Sequence, residues 1–310
     1  MRDNSEKAIG FKAGKKKINV SRGDRAFDIA CYAVMAIALV LSVYPLYFMV
    51  IASVSSPEKV MTGKVLFLPV DLSFKSYENV FAHKDIMNSY GNTILYTLVG
   101  TAINLSLTLT AGYVLSRPRF IGRKFMTMLF TFTMIFNGGL IPTYFVIKDL
   151  NLLDNFWVMV LPGAVSAYNL IITRSFMMST IPGELYEAAV IDGSDHVTFF
   201  TRIVLPLSGS LIGVIGMYYA VEHWNAYFNA MIYLNTKSKF PLQIFLREIL
   251  VAGSVDPEMA ADAENEAAYA QLADLLRYSL IIISTAPIMC VYPFIQKYFV
   301  KGVMIGSLKG

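Results

Sequence analysis

Long uncharged runs punctuate the chain. Between Asp28 and Glu58 lie 29 residues without a charge, and Asn92–Ser116 adds 25 more. Residues 125–147, 155–173, 203–221 and 278–296 are likewise uncharged. A helix needs roughly 20 apolar residues to cross the hydrocarbon core of a bilayer. Six segments meet or approach that length. No water is available there to satisfy backbone N–H and C=O groups, so spanning segments must be helical. The pattern predicts an all-α integral membrane protein with six transmembrane helices. They fall at about residues 27–53, 92–116, 125–147, 155–178, 206–232 and 277–297. The first run is too long for the core of a secretory signal, and its basic leader is long as well, so it reads as a retained helix.

Composition agrees with this reading. Of the 310 residues, 55% are hydrophobic and 15% are charged. Soluble domains carry about a quarter charged residues, and a soluble fold could not cover its surface with so few. The placement of charge gives an orientation. Arg2, Lys7, Lys12, Lys15, Lys16, Lys17, Arg22 and Arg25 precede the first span; Arg117, Arg119, Arg123 and Lys124 follow the second; Arg174 and Arg202 follow the fourth; Lys297, Lys301 and Lys309 follow the last. That is 17 on one side, against eight over longer loops on the other. The positive-inside rule then puts both termini in the cytoplasm. The expected layout is a basic cytoplasmic segment 1–25, a six-span domain 26–300 and a cytoplasmic tail 301–310. The basic N-terminus fits orientation and anionic lipid better than a nucleic-acid arm. Residues 235–274 form the largest non-membrane piece, an outer loop rich in acidic residues. Cys31 and Cys290 sit in apolar runs far apart, which predicts two small buried side chains and no disulfide.

The cytoplasmic segment 181–206 carries the most local information. Pro182 suits a first helical turn. Glu184 and Glu187 favour the positive end of that helix. Gly193 is able to end it in a left-handed conformation. Ser194 or Asp195 is able to cap a second helix, and Pro206 then opens the fifth span. Ala188 and Ala189 offer a close-approach surface, and Leu185, Tyr186, Phe199 and Phe200 add apolar area that wants a partner. On these grounds alone the segment either docks a protein or lies on lipid as an amphipathic element.

Span five holds a small-xxx-small pair, Gly209 and Gly213, suited to close helix packing. Farther along come Glu222, His223, Trp224, Asn225, Tyr227 and Asn229. Ionisable groups within a span usually face a cavity or a partner. Amide, carboxylate and aromatic groups suit a sugar, so these six are candidates for a substrate path. An outer aromatic belt and a contact with a second membrane subunit remain open for the same residues. Asn104 and Asn137 are further polar positions inside spans, explained as well by interhelical hydrogen bonds as by substrate.

One pattern is specific. Glu187-Ala188-Ala189, then Gly193, then Ile203, then Leu205-Pro206 resembles the EAA signature of the permeases of binding-protein-dependent ABC importers. Asn88–Thr93, Tyr113–Lys124 and the closing stretch from Lys297 to Gly310 are similar to the MalG-type carbohydrate branch. Asn137–Pro142 and Ala167–Ile171 resemble permeases of complex or acidic polysaccharide fragments. The resemblance implies a MetI-like permease fold in the bacterial cell membrane. It implies a second homologous permease, two ATPase subunits and an extracellular solute-binding protein as partners. Glu187, Ala188, Ala189, Asp192 and Gly193 would touch the ATPase, with Ile203, Leu205 and Pro206 anchoring the loop to span five.

Three function classes compete with this one. The EAA signature is shared with importers of non-carbohydrate solutes. A stand-alone secondary carrier would place coupling carboxylates deep in several spans, and apart from Glu222 the uncharged cores lack them. A membrane enzyme would carry a catalytic cluster such as HExxH or GxSxG, which is absent from a sequence with three histidines. The chain also lacks a GxxxxGK[ST] phosphate loop. No cofactor or metal is expected on it, ATP and Mg being expected on the ATPase partners.

Overall fold

The computed structural model describes residues 22–252, 276–294 and 296. Every regular element among them is helical. The chain divides after Phe48 into two compact units. The first unit holds most of α1 (Arg22–Ser53), an apolar helix whose large side chains from Phe27 to Tyr47 are exposed.

The second unit is organised around α4 (Lys84–Ser116). Its N-terminus is capped by His83, whose Nδ1 accepts from the Ile86 N–H at 3.4 Å. Gly100, Asn104, Thr108, Gly112 and Ser116 are all buried on it, a four-residue repeat of small or polar side chains, and Ser89 and Thr93 are buried nearer its start. Residues four apart share a helix face, and small residues there let backbones approach closely. A Cβ on Gly100 would collide with the His223 ring, and one on Gly112 would collide with Thr173. The two helices so admitted are α7 (Ala167–Thr180) and α11 (Gly209–Trp224). A Cβ on Gly209, expected to pack closely, would meet nothing within 4 Å in this chain, whereas a Cβ on Gly216 of α11 would come within 3.3 Å of the Leu105 side chain.

Two of the expected straight spans are broken. In the third, α5 (Arg123–Ile135) and α6 (Leu140–Asp149) meet at 119°. Gly139 there has φ +91, which only glycine adopts without strain. The Asn137 carboxamide accepts the Gly139 N–H at 2.8 Å, so this asparagine caps the break rather than bridging helices. The fifth span is bent by 82° at Ser208, between the helical run His196–Leu207 and α11. Pro206 does not open the span as expected; it lies before the bend. Its ring clashes with the residue four earlier and it lacks an N–H. A π-helical stretch at Phe200–Val204 accommodates this. The expected fourth span becomes a 3-10 turn at Phe156–Met159, a loop through Pro162 and Gly163, and α7 of 14 residues.

Among the described residues, three helices are long and apolar enough to cross a bilayer, or five if each bent pair is one span. Of the expected outer loop 235–274, the described part packs rather than projecting. Leu242, Phe245 and Ile249 share a core with Val80 and Ile86, and with Leu276 and Leu280 of the last helix. Residues 253–274 lie outside the described residues, as do 1–21 and the tail 301–310. Cys31 is half-buried and Cys290 exposed, so neither is the buried residue expected; both are free. On one face Asp154 ties its loop to residues 235–239. Its carboxylate accepts from the Asn235 and Thr236 N–H groups at 3.0 Å and the Thr236 hydroxyl at 2.6 Å, and pairs with Lys239 at 3.0 Å.

Candidate functional site

The segment after α7 folds as a helix, a turn and a second helix. The first, α8 (Gly183–Ile191), follows Pro182. It ends in a Schellman motif: the Ser194 N–H donates to the Ala189 carbonyl at 2.8 Å and the Gly193 N–H to the Val190 carbonyl at 3.0 Å. That closure requires a left-handed residue, and Gly193 has φ +79. Asp195 caps α9 (His196–Phe199), its carboxylate accepting the Thr198 N–H at 2.8 Å. Bonds from the Thr198 hydroxyl and N–H hold the Asp195 carboxyl below its ordinary pKa. The helical run continues through the π stretch into α10 (Leu205–Leu207).

The two faces of α8 differ. Ala189 is its buried residue, packed into a core with Tyr113, Met177, Ile181, Phe199 and Val204. The expected close-approach surface is therefore Ala188 alone; Ala189 is small because α8 lies against its own subunit. Glu187, Ala188, Asp192 and Gly193 are exposed, and Ile191 is 86% exposed. Ile191 stands with Leu185, Val190 and Val197 among the exposed apolar side chains of this loop. A groove of about 740 Å³ runs between α8 and the second helix, lined in part by Leu185, Ala188, Asp192, Gly193, Arg202 and Ile203. Leu205 and Ile203 are half-buried against the core, whereas Pro206 is exposed.

Beneath the loop sits an aromatic floor in which Tyr186 and Phe199, expected to want a partner, find one within the chain in Tyr113 and Arg117. The Arg117 guanidinium lies 4.5 Å from the Tyr113 ring centroid, 5.3 Å from Phe199 and 5.9 Å from Tyr186. Burial lowers the Arg117 pKa, while the nearby Tyr113 and Tyr186 oppose that shift. His196 is hydrogen-bonded on both ring nitrogens, to the Tyr113 hydroxyl at 3.2 Å and the Tyr186 hydroxyl at 3.0 Å. Arg174 of α7 donates to the Leu115 carbonyl at 3.2 Å, satisfying one end group of α4. The legible signal was Tyr113 and Arg117 four residues apart where α4 ends.

The six span-five candidates do not form one cluster. His223 and Trp224 point into the subunit. The Asn104 amide donates to His223 Nε2 at 3.0 Å, and Trp224 Nε1 donates to the Ser284 carbonyl at 2.8 Å. Glu222, Asn225, Tyr227 and Asn229 are exposed; Tyr227 precedes and Asn229 lies within α12 (Phe228–Tyr233). Among the described residues no cluster of His, Cys, Asp and Glu suits a metal ion.

Known proteins share this architecture. No family model matches the chain. A Bacillus subtilis polygalacturonan/rhamnogalacturonan transport system permease protein, YtcP, is 38% identical over 93% of this chain and 99% of its own. Protein LplC of the same organism is 35% identical over 94% of this chain and 97% of its own. The chain belongs to the permeases of ABC sugar importers. A crystal structure of a bacterial ABC transporter involved in import of the acidic polysaccharide alginate superposes with a TM-score of 0.83. It is 34% identical and covers 90% of this chain and 98% of that one. The permease is thus a multi-pass protein of the cell membrane and a transport component. Its exposed α8 lies within the segment that carries the EAA residues.

Proposed function

We propose that this permease forms, with a second homologous permease, the path by which an acidic oligosaccharide enters the cell. Two ATPase subunits drive it through the loop 181–206, and an extracellular binding protein delivers the solute. The observation that carries the coupling half is the two-faced α8. Ala189 anchors it to its own subunit, while Glu187, Ala188, Ile191, Asp192 and Gly193 stand bare beside a groove. ATP and Mg bind on the ATPase partners and not on this chain. Closure of the ATPase dimer would then move α8 as a rigid body, and ATP does work on the cycle because the two states bind it differently.

In this reading the chain crosses the membrane six times with both termini inside. Span three is α5 with α6, span four is α7 with the turn before it, and span five is bent at Ser208. Glu222, Asn225, Tyr227 and Asn229 are the group free to face solute or the second permease. His223 and Trp224 hold α11 in place behind them. The acidic cargo rests on the polygalacturonan and alginate systems that the chain resembles. The test is uptake by the reconstituted transporter with its binding protein. Galacturonate oligomers should be imported with ATP hydrolysis and compete with one another. Import of neutral oligomers in their place would refute the acidic assignment.

A further inference from the structure

The coupling helix has little grip on its own subunit by packing. Its one buried side chain is Ala189, among the smallest available. Along the chain, α8 continues into the arm His196–Leu207, but that arm meets α11 across an 82° bend at Ser208. A displacement carried only by this arm would be spent partly in flexing the bend. A second connection bypasses it. Tyr186 of α8 lies parallel to the His196 ring, with centroids 4.9 Å apart, and its hydroxyl bonds His196 Nε2 at 3.0 Å. The opposite nitrogen, Nδ1, bonds the Tyr113 hydroxyl at 3.2 Å, in the last turn of α4. A neutral imidazole donates from one nitrogen and accepts at the other, and a phenol does either, so both bonds persist in either tautomer. The Tyr113 ring packs on Phe200 at 5.0 Å, and Arg117 closes over it.

We propose that Tyr186, His196 and Tyr113 form a bridge that transmits movement of α8 directly to the cytoplasmic end of α4. This rests on the coupling role of the loop proposed above. The bridge matters because α4 is the hub of the second unit. It packs along α11 and α7, and Arg174 ties α7 to its last turn. Moving the end of α4 moves both helices together, whatever the bend at Ser208 absorbs. The three residues, with Arg117 over them, are positioning residues: they touch neither ATP nor solute.

The experiment uses the complete reconstituted transporter with Tyr113→Phe, Tyr186→Phe and the double variant. Each removes a hydroxyl and keeps the ring. Ile191→Glu, on the bare face of α8, is run beside them. The readouts are ATP hydrolysed per solute imported, co-purification of the ATPase and thermal stability. One hydrogen bond corresponds to about a two- to tenfold change in an equilibrium, so each single variant should raise ATP per solute by about that factor. The double variant should be no worse than the more affected single one, because a series connection is broken once. The ATPase should still co-purify in all three. Wild-type stoichiometry in both single variants, with Ile191→Glu uncoupled, overturns the bridge and leaves the coupling surface standing. Additive losses that track a falling melting temperature also overturn it. If Ile191→Glu keeps full transport and ATPase binding, the coupling surface itself fails.

Discussion

Gly193 offers the sharpest separation of backbone and contact effects in the coupling loop. It closes the Schellman motif of α8 at φ +79, and a Cβ there would meet nothing within 4 Å. A substitution therefore carries no clash within this chain. Its cost is the left-handed backbone, about 1–2 kcal/mol for an ordinary L-residue. Asparagine and aspartate visit that region more readily, so Gly193→Asn should be milder than Gly193→Ala, and Gly193→Val worse than both. Gly193→Asp has the shape of Gly193→Asn plus one charge, added beside Asp192 and Asp195. On an open surface that charge should change little, about 0–1 kcal/mol. In a groove covered by a partner, an unpaired charge costs about 2–5 kcal/mol. The assay is ATP hydrolysed per solute imported, alongside the amount of chain inserted in the membrane. Insertion should be unchanged throughout. Transport should fall in the order Asn, Ala, Val, with Asp at least about thirtyfold below Asn, the lower end of that charge cost. If Asp and Asn behave alike, no partner covers the groove. If Val matches Asn, the left-handed turn is not what Gly193 supplies.

Four further substitutions test the packing and the polar ties. Ala189→Leu should overpack the core beneath α8 and cost about 1–3 kcal/mol of thermal stability. Ala188→Leu, on the bare face, should leave stability within about 0.5 kcal/mol and yet lower transport. Gly100→Ala should destabilise the unit by about 1–3 kcal/mol through its collision with His223, and adding His223→Ala should recover part of that loss in the melting temperature. Asp154→Asn should loosen the loop around residue 154, by about 2 kcal/mol for one charge-assisted bond. The Thr236 hydroxyl and N–H, the Asn235 N–H and Lys239 hold the Asp154 carboxyl well below the usual carboxylate range. Its folded pKa is depressed, so its contribution is complete above the ordinary carboxylate pKa near 4 and lost as pH falls below that. Protection against hydrogen exchange in residues 150–156, corrected for the intrinsic exchange rate, should thus fall progressively below about pH 4 in the parent and show no such pH dependence in the variant.

Helix content, membrane character and the loop of interest were readable from the sequence because each rests on local chemistry. Uncharged runs report the bilayer, and Pro182, Gly193 and Asp195 report helix ends; the structure uses all three as such, Pro182 at the N-cap of α8 rather than in its first turn. The breaks were less legible. Asn137-Gly138-Gly139 and Pro206 sit inside uninterrupted apolar runs, where hydropathy alone predicts a straight span. The direction in which Ala189 points was equally hidden, since the phase of a nine-residue helix is set by its neighbours. His223 shows the same limit. An ionisable residue in a span suggested a cavity, but the absence of a side chain at Gly100 makes room for it against α4. The Tyr113–His196–Tyr186 bridge joins residues 83 and 10 positions apart, which spacing alone does not reveal.

The central claim is that the bare face of α8 docks an ATPase subunit. The most direct measurement places an apolar photo-crosslinking side chain at Ile191, already large and exposed, and identifies the adduct by mass spectrometry after illumination of native membranes. The account predicts an adduct with a protein that carries a GxxxxGK[ST] phosphate loop. Adducts with lipid alone, while the transporter remains active, would contradict it.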